Sequence, residues 1–185
     1  MSPSPSANPS GRLSPTTAEQ VGRAFQGLVP VLDGGPCAAG VESTILAVEG
    51  ERVTQLRAGA LPRSEIEAAI GRPVAIASES AVVAAPGMLA SHYAPNARLR
   101  LDAAAPEAGE AYLAFGPEPE RTASPLLNLS PAGDLREAAR NLFSMLHQLD
   151  GAASRIAVAA IPHSGLGEAI NDRLRRAAAP RGGPS

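Results

Sequence analysis

Residues 134–161 read DLREAARNLFSMLHQLDGAASRIAVAAI, and this stretch decides the fold class. Asp134 stands three residues before Glu137, a spacing that predicts a capped helix N-terminus. The apolar face that follows has helical spacing and consists of Leu135, Ala138, Leu142, Phe143, Leu146 and Leu149. Residues 156–161 form a continuous apolar run, which is typical of a strand buried on both faces. A helix followed directly by such a strand favours a parallel α/β sheet.

Further strands and one more helix are predicted on either side of residues 134–161. The predicted strands are residues 99–101, 112–115 and 126–129, and the predicted last helix covers residues 168–178. Their alternation predicts an α/β unit with a parallel sheet over residues 98–179. Residues 180–185 are rich in proline and glycine and are expected to be a disordered tail.

Near the N-terminus the pattern predicts a helix and a short strand. Thr16 and Glu19 have the spacing of a capping box, with Thr16 as the N-cap. Gly27 ends the helical pattern, and residues 29–33 are interpreted as a strand.

A hairpin and a second short helix come next. Residues 41–48 and 52–57 flank a Glu-Gly pair, which predicts a β-hairpin. Ser64 and Glu67 form a second capping box, and Gly71 closes the helix that it begins.

Residues 77–97 have neither helical nor strand periodicity, and small residues and prolines predominate there. Structureless stretches longer than about 12–15 residues are usually linkers or functional lids. We therefore expect a linker here, between a first domain at residues 1–76 and a second at residues 98–179.

The composition excludes several classes of function. The 185 residues have a formal net charge of −2, so no global basic field indicates strong nucleic-acid binding. No apolar run approaches the ~20 residues that cross a membrane. Cys37 is the single cysteine; this fits a reducing cytoplasm, and a role as a small hydrophobe is favoured over one as a nucleophile. The spacing of His, Cys, Asp and Glu residues does not indicate a metal site.

Three groups of polar residues are candidates for a ligand site. Residues 4–17 combine hydroxyls, prolines and an amide, and they lead into a helix N-terminus, where anions bind well. The second group is Glu42-Ser43-Thr44 at the start of the predicted hairpin, and the third is Arg57 at its far end. The hairpin would bring Ser43 close to Arg57, and an arginine beside hydroxyl groups suits a phosphate or a carboxylate. A Ser-rich coil and a surface arginine explain the same residues without a ligand, and both interpretations remain open at this point.

Two further features have simpler structural explanations. His147 lies on the predicted helix that Asp134 caps, and we interpret it as structural. Arg173, Arg175 and Arg176 are interpreted as a solvated face of the last helix, where cations also complement the helix dipole.

Several short motifs occur in an order that resembles one protein family. They are PSANPSG at residues 5–11, SPT at 14–16, DGG at 33–35, GVESTI at 40–45, LRAGA at 56–60, APGM at 85–88, SHYAP at 91–95 and GLGEAINDRL at 165–174. In this order they resemble the threonylcarbamoyl-AMP synthase (YrdC-like) family in its long, two-domain form. The resemblance covers almost the whole chain.

The resemblance implies a fold and an activity. The fold would be part of a twisted α/β YrdC-like catalytic domain, a linker over the active site, and a Rossmann-like parallel-sheet domain. The activity would be the formation of threonylcarbamoyl-AMP and pyrophosphate from L-threonine, bicarbonate and ATP. ATP would be a substrate accompanied by Mg2+, with no tightly bound cofactor. The product would pass to a cytoplasmic tRNA-modifying transferase complex that makes threonylcarbamoyladenosine.

The resemblance also implies roles for particular residues. ATP would be contacted by Ser6, Ser14, Arg57 and Tyr93, and threonine by Ser4 and Ser43. No residue is assigned as catalytic or as a metal ligand. A carbamate oxygen attacks the α-phosphate and pyrophosphate leaves, so the step depends mainly on alignment and on neutralising negative charge.

One departure from the family pattern affects the functional expectation. The family's catalytic domain begins with a Pro-Thr-Glu-Thr segment and a Lys-x-Arg pair, and this sequence contains neither; all 16 of its basic residues are arginines. We therefore expect this polypeptide to correspond to the C-terminal part of such an enzyme and to be inactive alone. A non-catalytic nucleotide- or tRNA-binding module and an unstable gene remnant are the alternatives.

Overall fold

A computed structural model describes residues 7, 11–78, 93–117 and 125–180, and these residues contain two β-sheets. The helices and strands in chain order are α1 (Ala18–Phe25), β1 (Ile45–Glu49), β2 (Arg52–Arg57), α2 (Arg63–Ile70), β3 (Ala75–Ile76), β4 (Arg98–Arg100), β5 (Ala111–Ala114), β6 (Leu126–Asn128), α3 (Leu135–Asp150), β7 (Arg155–Val158) and α4 (Leu166–Ala178). The mixed α/β class predicted from the sequence is confirmed. Most of the predicted linker (residues 79–92) and of the predicted tail (residues 181–185) lies outside the described residues.

The larger sheet has four strands in the order β4-β7-β5-β6, and all neighbouring pairs are parallel. The strand predicted from the apolar run, β7, lies inside this sheet, and Ile156, Ala157 and Val158 are fully buried. Helices α3 and α4 pack against each other and against the sheet. The parallel-sheet unit is thus confirmed, and the apolar face of α3 supplies much of its core.

The smaller sheet is less well covered. The hairpin β1-β2 is antiparallel, and the two-residue strand β3 adds to it in parallel. Its core cluster consists of Val53, Ile66 and Val74, with Leu46 packed against it. Among the described residues, the large apolar side chains that remain exposed all precede residue 77: Leu28, Val29, Val31, Leu32, Val48, Leu61, Ile70 and Ile76.

The cap of α1 lies one residue later than the sequence predicts. Thr17, not Thr16, is the N-cap, and its Oγ1 accepts a hydrogen bond from the Gln20 amide at 3.3 Å. Gln20 reaches back in turn, because its Oε1 accepts from the Thr16 amide at 2.6 Å. The prediction was wrong because Gln20 takes the role assigned to Glu19, which instead pairs with Arg23 on the helix surface.

Two other local predictions were also wrong. Pro62 is the N-cap of α2, and its carbonyl accepts from the Glu65 and Ile66 amides, so Ser64 already lies inside the helix and caps nothing. Residues 29–33 form no strand, and Leu32 is 98% exposed. An apolar run becomes a strand only where another strand or a core is available to it, and the described residues offer neither here.

The loop before β1 lies directly against α3. Gly40 has a φ of +72°, and a Cβ placed on it would overlap the α3 backbone at Ala139 and Arg140. Residues 93–97 are joined to the N-terminal stretch, since the Ala94 amide donates to the Gly11 carbonyl at 2.9 Å. The two sheets are therefore linked through loops that carry the residues singled out in the sequence.

Candidate functional site

A buried arginine on α4 joins the loops that precede β1 and follow β2. The Nε of Arg173 donates to Oε2 of Glu42 at 2.7 Å, and its Nη1 donates to the Ala58 carbonyl at 2.8 Å. Nη1 also donates to Asp172 at 2.7 Å. The Arg173 side chain is 0% exposed. A buried guanidinium requires both a charge partner and hydrogen bonds, and these loops supply them.

Ser14 is held at the other oxygen of the same carboxylate. Its hydroxyl donates to Oε1 of Glu42 at 2.5 Å. The Ser14 carbonyl faces Nε2 of His147 on α3 at 3.3 Å. The serine is therefore fixed on one side by the loop before β1 and on the other by α3.

Arg57 and Ser43 are close together, as the hairpin pattern suggested. Arg57 ends β2 and is 8% exposed. Its Nη2 and Nε donate to the Ser43 carbonyl at 2.9 and 3.3 Å. Gly59 makes this approach possible, because a Cβ there would overlap the backbone between Glu42 and Thr44. The Ser43 side chain lies at an exposed position beside the buried guanidinium.

Tyr93 packs against the same ion pair. The guanidinium of Arg173 lies 5.3 Å from the centre of its ring, within cation–π range. The ring also contacts Phe143 of α3, at 5.5 Å between centroids. Tyr93 has a φ of +59°, a conformation that costs a bulky residue energy and that often occurs at functional sites. The residue is 2% exposed, so packing holds it in this conformation.

The ionisation of this cluster follows from its burial and charges. Burial raises the pKa of Glu42, but the charge of Arg173 and the hydrogen bonds from Ser14 and Arg173 outweigh this effect, so the pKa lies below its ordinary value. Burial raises the pKa of the Tyr93 phenol, and the charge of Arg173 opposes that rise. At neutral pH the cluster thus holds a carboxylate, a guanidinium and a neutral phenol.

The structure brings four of the six sequence-predicted ligand residues to one place. Ser14, Ser43, Arg57 and Tyr93 surround the Glu42–Arg173 ion pair, each through a contact or through the adjoining residue. Ser4 and Ser6 lie outside the described residues. Their roles, like those of the other four, remain predictions.

The sequence does not reveal that Glu42 and Arg173 form an ion pair. Glu42 and Arg173 lie 131 residues apart, and the sequence pattern assigns Arg173 to a solvated surface. That interpretation is wrong for Arg173, which is buried, whereas Arg175 is exposed. The usable signal is helical periodicity, because Arg173 falls on the same face as Ile170, Leu174 and Ala177.

Three remaining findings concern the cysteine, metal-binding clusters and membrane-spanning helices. Cys37, which the sequence favours as a small hydrophobe over a nucleophile, lies exposed on the surface. Over residues 11–78, 93–117 and 125–180, no three His, Cys, Asp or Glu side chains come close enough to hold a metal ion. No helix in these ranges has the length and apolar character needed to span a membrane.

A hollow of about 490 Å³ adjoins the cluster on the side of α1 and α3. Its lining includes Arg12, Gln20, Arg23, His147 and Asp150. Burial lowers the pKa of His147, and the hydrogen bond to Ser14 opposes this only in part. The hollow therefore lies behind Ser14, with a neutral imidazole between them at neutral pH.

Comparison with known families gives two matches that together cover most of the chain. The family described as "Threonylcarbamoyl-AMP synthase, C-terminal domain" matches residues 61–179. The family described as "Telomere recombination" matches residues 3–59.

Curated relatives carry the same name in three organisms. The chain is 32% identical to a threonylcarbamoyl-AMP synthase of Bacillus subtilis, covering 96% of this chain and 57% of the relative. A relative in Pyrococcus abyssi is 33% identical over 94% of this chain and 56% of its own length. One in Schizosaccharomyces pombe is 31% identical over 94% and 51%. The chain thus spans about half the length of the curated relatives that it matches.

Solved structures agree with the sequence comparison. A crystal structure of P. abyssi Sua5 complexed with L-threonine matches with a TM-score of 0.80 and 32% identity. The match covers 94% of this chain and 56% of that one. The chain therefore belongs to the threonylcarbamoyl-AMP synthase family.

Proposed function

We propose that this chain forms one wall of an active site that makes threonylcarbamoyl-AMP from L-threonine, bicarbonate and ATP. The observation that carries the proposal is the convergence of Ser14, Ser43, Arg57 and Tyr93 on one buried ion pair. Membership of the family supports the choice of reaction, and the P. abyssi structure that matches it was solved with L-threonine.

The chemistry requires positioning more than a dedicated nucleophile. The threonine amine and bicarbonate give a carbamate with loss of water, and a carbamate oxygen then attacks the α-phosphorus of ATP. The bond from that phosphorus to the bridging oxygen breaks, and pyrophosphate leaves with the electron pair. Alignment and neutralisation of spread negative charge lower the barrier for such a step.

Each described residue has a role in this proposal. Arg57 would hold the phosphates of ATP, since a guanidinium binds phosphate oxygens in pairs. Ser14 would donate to the nucleotide, and the exposed Ser43 side chain would contact threonine. Tyr93 would close over the nucleotide from the segment that joins the two units. Ser4 and Ser6 would complete the threonine and ATP contacts.

The wider organisation forms part of the same proposal. Residues 1–76 would belong to the catalytic domain, residues 77–97 to the covering linker, and residues 98–179 to the Rossmann-like domain. Mg2+ would enter with the ATP, since this ion is commonly held by substrate phosphates and retained waters. The product would pass to a tRNA-modifying transferase complex in the cytoplasm, with weak or no direct binding of RNA by this chain.

Titration calorimetry with Mg-ATP and with L-threonine tests the proposal. We expect the 185-residue chain to bind ATP and the Arg57→Ala variant to bind it at least about tenfold more weakly, a loss of about 1.4 kcal/mol. Arg72→Ala is the matched control, because Arg72 is exposed and contacts the Glu51 carbonyl at the far end of the hairpin. Absence of ATP binding, or equal affinity in wild type and Arg57→Ala, would contradict the proposal.

A further inference from the structure

We infer that Arg173 is a positioning residue for the ATP and threonine site, acting from α4 through Glu42 and the Ala58 carbonyl. The inference rests on the proposed function above, and it assigns a part in the site to a helix of the parallel-sheet unit. It is based on the groups that the Arg173 guanidinium contacts.

Apart from Asp172, each partner of Arg173 adjoins a proposed ligand residue or is one. Glu42 directly precedes Ser43 and accepts the Ser14 hydroxyl at 2.5 Å. The Ala58 carbonyl, which accepts from Nη1 at 2.8 Å, directly follows Arg57. The Tyr93 ring lies 5.3 Å from the guanidinium carbon. One side chain therefore connects three separate stretches of the first half of the chain.

The hydrogen bonds fix the orientation of these groups as well as their position. The Glu42 carboxylate is held at one oxygen by Arg173 and at the other by Ser14, so it cannot rotate without losing a charge-assisted hydrogen bond. Asp172 holds the guanidinium from the α4 side, and Asp172 is itself held by Arg176 at 3.0 Å. The chain of bonds runs from the surface of α4 to the Ser14 hydroxyl.

Arg173 acts on the ligand only through these neighbours. Its side chain is 0% exposed, so it has no surface to offer a substrate. Its Nη2 is buried without a hydrogen-bond partner among the residues that the structure describes. The Nε of Arg63 on α2 is buried in the same way, so an unpartnered nitrogen alone does not mark a positioning residue, and the inference rests on what Arg173 contacts.

A second ion pair to α4 provides the contrast. Arg63 on α2 donates to Glu168 at 3.0 Å and to Glu67 at 3.2 Å, and neither of these partners is a proposed ligand residue or next to one in the chain. Arg63 and Arg173 both connect the first half of the chain to the same helix. Of these two arginines, Arg173 is the one that contacts the loops of the site, so a role in docking the two halves can be separated from a role in positioning.

The experiment compares Arg173→Met with Arg63→Met in the 185-residue chain. Hydrogen exchange is measured on residues 11–17 and 41–44, together with the affinity for Mg-ATP. For Arg173→Met we expect exchange in both segments to be at least about tenfold faster and ATP affinity at least about tenfold lower. Arg63→Met is expected to lower the melting temperature while it changes neither quantity more than about threefold.

A second variant covers the case in which Arg173→Met does not fold. Glu42→Gln keeps the shape of the side chain but removes its charge, and it should also speed exchange at residues 11–17. Arg173→Lys keeps the charge but not the fork that bridges Glu42 and Ala58, so we expect it to remain closer to Arg173→Met than to wild type.

The outcomes separate this inference from the function on which it rests. If wild type binds ATP and Arg173→Met, or Glu42→Gln in its place, binds it as tightly, the positioning role is overturned. If wild type binds neither ATP nor threonine, the proposed function fails, and the exchange data then test only whether Arg173 orders residues 11–17 and 41–44. Unchanged exchange in both segments of Arg173→Met would overturn this ordering role, and faster exchange in Arg173→Met but not in Arg63→Met would support it.

Discussion

At the residue scale, the candidate site is organised around one ion pair, between the Glu42 carboxylate and the Arg173 guanidinium. Arg173 is fully buried and Glu42 is mostly buried. The charge of each group compensates much of the desolvation free energy of the other. Their contact orders Ser14 on one side and Tyr93 on the other, and Tyr93 is held at a φ of +59°. The proposed ligand residues are therefore ordered around an ion pair whose guanidinium is itself fully buried.

The depressed pKa of Glu42 predicts a stability difference that depends on pH. Because the pKa is lower in the folded than in the unfolded state, the ion pair stabilises the protein above the unfolded value of about 4.3, and this contribution is lost as the pH falls. At pH 7 we expect Glu42→Gln to cost about 2 kcal/mol or more, since it leaves Arg173 buried without this charge partner. Melting temperatures by circular dichroism should differ by several degrees at pH 7, and the difference should shrink at a pH below the ordinary value for glutamate. A difference that is the same at both pH values would contradict this.

The phenol of Tyr93 provides a spectroscopic prediction. The chain has two tyrosines and no tryptophan, so absorbance near 295 nm reports phenol ionisation directly. Burial raises the pKa of Tyr93, and burial also raises that of Tyr112. In Tyr112→Phe, which leaves one phenol, the titration midpoint should lie above about 10, the ordinary value for tyrosine. A midpoint at or below 10 in the folded protein would show that Tyr93 is solvated.

At the scale of single elements, the loop before β1 is shaped by its contact with α3. Gly40 allows this contact because it has a positive φ and no Cβ. The loop continues directly into Glu42 and Ser43, so any displacement at Gly40 reaches the candidate site within three residues. The helix thus serves as a platform for a loop that belongs to the other half of the chain.

This contact predicts a large effect of one small substitution. In Gly40→Ala the new Cβ would overlap the α3 backbone, in addition to the strain of its positive φ. Gly133→Ala is the matched control, since Gly133 has a φ of +73° but no atom within 4 Å of the place that a Cβ would take. We expect Gly40→Ala to lower stability by about 2 kcal/mol more than Gly133→Ala in denaturant titrations. Equal losses would mean that the loop does not rest on α3.

The elements that the sequence predicts well are those whose periodicity and burial agree. Helix α3, with its Asp134 cap and apolar face, is predicted closely, and so is the position of strand β7. The predicted cap of α1 is wrong by one residue because Thr16 and Thr17 present the same chemistry, and only the reach of Gln20 decides between them. Strand β3 has two residues and depends on its partner β2, so no local pattern predicts it.

The candidate site can be predicted only in part, for a related reason. Ser43 and Arg57 are joined by a hairpin, and a hairpin can be predicted from local sequence. The link from Glu42 to Arg173 spans 131 residues and depends on how α4 packs, which no local pattern contains. Long-range ion pairs depend on tertiary packing. A local pattern therefore assigns Arg173 to solvent, although it lies on the helical face that packs against the core.

At the scale of the whole molecule, the two halves differ in how well they are covered. Helices α3 and α4 pack on the parallel sheet, while the exposed large apolar side chains of the described residues all lie before residue 77. The chain also spans about half the length of its curated relatives.

This asymmetry predicts the behaviour of the isolated 185-residue polypeptide in an activity assay. We expect no measurable pyrophosphate release that depends on both threonine and bicarbonate. In the proposed function the chain supplies one wall of the site, and one wall alone cannot align and neutralise the groups that react in a nucleotidyl transfer. An active relative, such as the B. subtilis synthase, assayed in parallel is the control. Release well above the no-threonine background would refute the expectation.

The central claim is that Ser14, Ser43, Arg57 and Tyr93 face a common ligand space. Its most direct test is a map of amide chemical-shift changes in the isotope-labelled chain as Mg-ATP and then L-threonine are added. We predict that the largest changes fall in residues 11–17, 41–44, 57–60 and 93–97, while strands β4 to β7 are unaffected. Changes confined to the parallel sheet, or none at millimolar ligand, would contradict the claim.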